Sequence, residues 1–209
     1  MSKPQIARVS DNKDKQRTYA YWKSRYRLAM KYQFYFEAMM IDYALLEDRL
    51  TSILYHSGVM PNRQTLKMSA RTTKDVLRQI ITNYGDFREN ESVKLSQISG
   101  KIRVISAILN WVENVQGGYE NNKYLVALKS QYESVDIASM GVTLHDISDW
   151  CVYRNEVVHA ALNKNLESIS EELATKANEG FRFANILDSQ ERLIKKGQKI
   201  RRVANLGNN

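Results

Sequence analysis

The chain has 209 residues, 43% hydrophobic and 26% charged, enough for one packed domain spanning 1–209. Two Pro and nine Gly favour long helices over short strands with many turns, and the single cysteine, Cys151, excludes both an intrachain disulfide framework and a zinc site built on paired thiolates. The net charge of +8 points to an acidic partner, while no apolar run is long enough to span a membrane and Met1-Ser-Lys-Pro-Gln lacks the apolar core of a signal peptide, so a reducing cytoplasm and no membrane partner are expected.

Residues 1–13 read as a flexible tail. From about Asp14 to Tyr55, Trp22, Tyr26, Ala29, Gln33, Phe36, Met40, Ala44, Glu47, Thr51 and Leu54 follow the spacing of one helical face. Phe34, Ala38, Ile41 and Leu45 widen that stripe. The pattern predicts a long first helix, with room for one break, central in a bundle. Gly58-Val-Met-Pro61-Asn62 ends it. Thr72 or Thr73 with Asp75 opens a short helix through about Asn83, and Tyr84-Gly85-Asp86 is a turn. Residues 90–115 read as helix with an interruption at Gly100, closed by Gly117-Gly118. A further helix runs from about Asn121 to Ser139, stopped by Met140-Gly141. Thr143-Leu-His-Asp146 reads as a capping box opening the next helix, which ends near Asn163. Ser168-Ile-Ser-Glu171 is another capping signal. It opens a long last helix to about Val203, with Gly180 and Gly197 as weak points, followed by a tail at 204–209. No segment alternates with period two. The expected class is all-α: a helical bundle with long first and last helices.

Charge is concentrated at the two ends. Residues 1–32 carry nine Lys/Arg against two acids, and residues 180–209 carry seven against two. If the terminal helices lie side by side, Lys23, Arg25, Arg27, Lys195, Lys196, Lys199, Arg201 and Arg202 form one basic face suited to an RNA backbone. Tyr19, Tyr21, Tyr26 and Tyr32, with Trp22, either stack on bases there or pack into the core.

The richest chemistry lies in Tyr153-Arg154-Asn155-Glu156-Val157-Val158-His159. On a helical wheel Ile147, Trp150, Cys151, Val157, Val158 and Ala161 form an apolar arc, and Arg154 falls in its middle. An Arg aimed at a core cannot shed its proton and needs an anion or several carbonyls. Glu47, which also interrupts an apolar stripe, is the candidate partner within the bundle. The alternative is an Arg lining a cleft that receives a phosphate.

Arg154 and His159 sit roughly 140° apart on a straight helix, so they meet one phosphate only at a groove edge or in a site shared by two chains. Cleavage through a ribose 2′-hydroxyl needs a base and an acid, and His suits both near neutral pH. His145 lies roughly 21 Å along the axis from His159, and His56 has no visible link to the patch. The same His from a symmetry mate is the simplest second proton carrier, which predicts a homodimer with the patch at its interface. His159 would be general base or acid, Arg154 would neutralise the non-bridging oxygens, and Asn155 would hydrogen-bond either group. No metal or cofactor is required.

Arg154-Asn155-x-x-x-His159, on a late helix of an all-helical chain with an internal Glu on its first helix, resembles the signature of the HEPN superfamily (higher eukaryotes and prokaryotes nucleotide-binding). The resemblance implies a dimerising helical bundle that places two copies of the motif in one cleft. It also implies metal-independent RNA endonuclease activity leaving a cyclic phosphate, in a toxin–antitoxin or antiviral defence role with an antitoxin or other defence-system partner. Carried over, Arg154 and His159 are the catalytic pair, Asn155 the supporting polar residue and Glu47 the acid of an early helix. Ala161 stands where the subgroup neutralised by a nucleotidyltransferase antitoxin has a tyrosine. Two other readings remain open: a non-catalytic helical module binding nucleotide, RNA or an acidic protein, and a structural bundle with Arg154 in an internal ion pair.

Overall fold

The structure is a computed structural model describing residues 12–61, 73–88, 91–161 and 167–196. Among them are seven helices and no strand. They are α1 (Asn12–Lys31), α2 (Tyr35–His56), α3 (Thr73–Tyr84), α4 (Ile98–Asn114), α5 (Lys123–Tyr132), α6 (Ile137–Ala160) and α7 (Glu167–Lys196). The all-α expectation holds.

The long first helix is two helices. Gln33 adopts a left-handed φ of 63°. Phe34 N donates to Ala29 O (2.8 Å) and Gln33 N to Met30 O (3.2 Å), the paired bonds of a Schellman stop. The chain then reverses, and Lys15 meets Asp48 at 2.8 Å while Arg25 meets Glu37 at 2.5 Å, so α1 and α2 form an antiparallel hairpin. The same motif ends α2, with Gly58 (φ 74°) as the left-handed residue and Val59 N donating to Leu54 O at 3.0 Å.

Three other boundaries differ from the sequence expectation. Residues 91–97 are not helical, and α4 starts only at Ile98. Gly100 does not interrupt it: a Cβ there would lie 2.2 Å from Lys94 O, so glycine lets the preceding segment cross the first turn. The expected stop at Met140-Gly141 is absent. Instead α5 ends at Tyr132, and α6 opens at Asp136, whose carboxylate accepts from Ser139 N at 3.0 Å. Thr143 is no cap but an interior residue whose hydroxyl donates back to Ser139 O at 2.9 Å. Gly180 is no weak point either. A Cβ on it would lie 2.7 Å from Trp150 Cζ2, so the glycine seats the Trp150 ring of α6 against α7.

α2 is the central element, with twelve of its twenty-two residues buried. α7 runs alongside it in the same direction, placing Gly180 near Asp42 and Asp188 near Arg49. α6 runs the opposite way, with Trp150 Nε1 donating to Lys176 O of α7 at 2.7 Å. Buried Arg49 ties three helices together through Asp188 (2.9 Å), Glu191 and the Tyr19 hydroxyl. Each carboxylate compensates part of the desolvation of the guanidinium. Tail residues 1–11 and 204–209, and the last turns expected through Val203, lie outside the described residues, as does Gly197; α1 already begins at Asn12 within the expected tail.

Candidate functional site

α6 carries the motif on its last two turns. Its buried face is set by Met140, Leu144, Ile147, Trp150, Cys151 and Val157. That face turns Arg154 toward α2, where the guanidinium stacks on the Tyr43 ring at 4.3 Å and Nη2 lies 3.1 Å from Met40 Sδ. Nη1 donates to Asn155 Oδ1 at 3.0 Å, while buried Nε has no hydrogen-bond partner among the described residues. The side chain is thus half-buried, held by an aromatic face, a thioether and its own neighbour. Cys151, one turn earlier, is packed in the same place; burial pushes its thiol up to about 12, against the opposing pull of the Arg154 charge.

Glu47 does not pair with Arg154. Its Oε1 accepts from Lys101 Nζ at 2.8 Å, and Lys101 of α4 is fully buried. The reason is positional. Glu47 lies one turn beyond Tyr43 on α2, level with the start of α4, and the ammonium there has the stronger need for a carboxylate. Among the described residues Arg154 has no acidic partner, so the internal ion pair is not formed.

Asn155 and His159 are exposed and lie one turn apart on the outward side of α6. Asn155 therefore sits between Arg154, against α2, and His159, on the open face. The structure brings Arg154 and Asn155 into contact and leaves His159 beyond them. The other histidines are elsewhere: His145 is exposed and faces Asp149 at 3.8 Å, and His56 is buried with Nε2 3.7 Å from Glu191 at the far end of α2.

The terminal helices are neighbours, as the basic-face expectation required. Tyr26 of α1 stacks on Phe181 of α7 at 4.1 Å and 6°, and its hydroxyl donates to Ala177 O at 3.3 Å. They run antiparallel, however, which divides the cations. Lys23 donates to Asn185 Oδ1 at 3.2 Å beside the middle of α7, with Arg27 exposed one turn on. Arg25 points the other way, to Glu37. Lys195 and Lys196 are exposed about 15 Å further along α7. Lys199, Arg201 and Arg202 lie outside the described residues. The aromatic residues divide as well: Tyr19 and Tyr26 face inward, whereas Tyr21, Trp22 and Tyr32 are 57%, 42% and 58% exposed.

Tyr43, Met40 and Lys101 are the contacts that sequence reasoning missed. The Tyr43–Glu47 spacing, one turn on a single face, was the available signal. Comparisons with protein-family models, curated proteins and solved structures found no match. No described helix is long and apolar enough to cross a membrane.

Proposed function

We propose that this chain is a metal-independent RNA endonuclease of the HEPN kind, with a composite site at a homodimer interface and a role in a toxin–antitoxin or antiviral defence system. The observation that carries the reading is the seating of Arg154. Its guanidinium rests on Tyr43 and Met40 and is steered by Asn155, with no carboxylate among the described residues to neutralise it. A cation kept in this way retains its charge for a phosphate.

In the proposed reaction His159 takes the proton of a ribose 2′-hydroxyl, and the 2′-oxygen forms its bond to phosphorus. Arg154 offsets the charge that grows on the non-bridging oxygens. The P–O5′ bond breaks, and the partner's His159 supplies a proton to the leaving 5′-oxygen. The products are a 2′,3′-cyclic phosphate and a 5′-hydroxyl. A second copy is needed because one protomer directs Arg154 and His159 to different sides of α6.

That same divergence favours a second reading, in which the Arg154–Asn155 pair grips an RNA phosphate and no bond breaks. Purified protein incubated with end-labelled RNA, with and without EDTA, separates the two. The first reading expects cyclic-phosphate ends in both samples and their loss in His159→Ala, whose exposed site leaves helicity intact. Intact RNA with a salt-sensitive gel shift supports the second. Cleavage that EDTA abolishes, or that His159→Ala retains, overturns the first.

A further inference from the structure

A separate shallow depression of about 400 Å³, wide open to solvent, runs along the outer side of α7, lined by Asn178, Phe181, Arg182, Asn185, Ile186 and Ser189. Its floor is aromatic. Phe181 already stacks on Tyr26, which leaves a ring ready to extend the stack by one more flat group. Its α1 side is cationic: Lys23 reaches Asn185, and Arg27 lies one turn further along the same side of α1. Arg182 adds a third cation, from α7.

The acids nearest the groove in sequence are drawn away from it. Glu179 is taken by Lys176 at 2.9 Å, and Asp188 by Arg49 at 2.9 Å and Arg192 at 2.7 Å. None of the described lining residues is acidic. The Asn178 carboxamide is engaged, its Oδ1 accepting from the Tyr26 hydroxyl at 3.3 Å and its Nδ2 donating to Ala174 O at 2.9 Å, so exposed Asn185, whose Oδ1 accepts from Lys23, is the amide placed to donate to the edge of a base. An aromatic floor, one amide edge and a basic rim with no carboxylate among the described lining residues match one nucleotide of a single strand: a base to stack and a phosphate to neutralise.

We propose that the groove along α7, with the α1 cations beside it, is a nucleotide subsite for single-stranded RNA, distinct from the Arg154–His159 patch. The proposal rests on RNA being the ligand. It excludes duplex RNA, whose bases are already stacked and cannot reach the Phe181 ring.

Fluorescence anisotropy of a labelled 12-nucleotide single strand tests it, with His159→Ala as the background so that the strand stays intact. Arg182→Glu and Ser189→Asp each place a carboxylate on the exposed rim without touching the core. Each is expected to weaken binding about tenfold or more, and a duplex of the same sequence to bind no better than those variants. Wild-type affinity in both rim variants overturns the subsite. So does equal binding of duplex and single strand, or self-association that the rim changes abolish, which would assign the groove to a second copy of the chain. Loss of binding in the rim variants alongside wild-type protein that cleaves no RNA keeps the subsite and removes the nuclease. Cleavage with unaffected rim variants does the reverse.

Discussion

Asp42 gives the sharpest test of the core. It is fully buried on α2 between Tyr26 and Gly180, and neither carboxylate oxygen has a hydrogen-bond partner among the described residues. Burial alone pushes its carboxyl from the ordinary 3.8 up to about 9. The folded protein therefore holds Asp42 protonated where the unfolded chain has released the proton. Because the folded value is the higher one, the stability is fully present below about pH 4. It declines as pH rises toward 9, and is level above that. Between 3.8 and pH 7 the loss amounts to about 4 kcal/mol, at about 1.4 kcal/mol per pH unit. Asp42→Asn keeps the shape and the unpaired polar atoms but removes the titration. Urea unfolding at pH 4, 5.5, 7 and 8.5 is the assay. The variant is expected to match the wild type near pH 4 and to exceed it by a margin of about 4 kcal/mol at pH 7. A difference that stays constant across that range would refute the buried, neutral carboxyl.

Two further substitutions probe the packing around the candidate site. Glu47→Ala leaves the Lys101 ammonium sealed and unpaired and should lose about 2–4 kcal/mol in denaturant titration, whereas Lys101→Met leaves Glu47 partly solvated and should be close to neutral; equal losses would contradict that asymmetry. Gly180→Ala drives a Cβ into the Trp150 ring, and the clash, about 1–3 kcal/mol, outweighs the better helix propensity of alanine, so Tm should fall by a few degrees. An unchanged or raised Tm would show that α6 and α7 separate freely at this contact.

Much of the architecture was legible because burial writes itself as periodicity. The width of the apolar stripe on α2 foretold its central place, and Gly58 marked its end. The end of α1 was hidden because Gln33 performs the left-handed stop that glycine performs at residue 58, and glutamine carries no signal for it. Gly100 and Gly180 mislead for the opposite reason: in the sequence each signals backbone weakness, but each is small to admit a neighbour, the Lys94 carbonyl or the Trp150 ring. The inward setting of Arg154 followed from the wheel. Its partners did not, because Tyr43, Met40 and Lys101 come from other helices, and the competition between Lys101 and Arg154 for Glu47 is decided by where α4 begins.

The reversal after α1 rests on two successive residues outside the helical region, Gln33 (φ 63°) and Phe34 (φ −84°, ψ 59°), and glutamine has no intrinsic preference for its left-handed setting. Were both residues to relax to ordinary helical values, α1 and α2 would fuse into a rod about 65 Å long. Leu45 and Arg49 would lose the cover of Tyr19, and Asp42 that of Tyr26. The bend is therefore maintained from a distance, by what α1 touches, and loosening those contacts would register first as a straightening at residue 33.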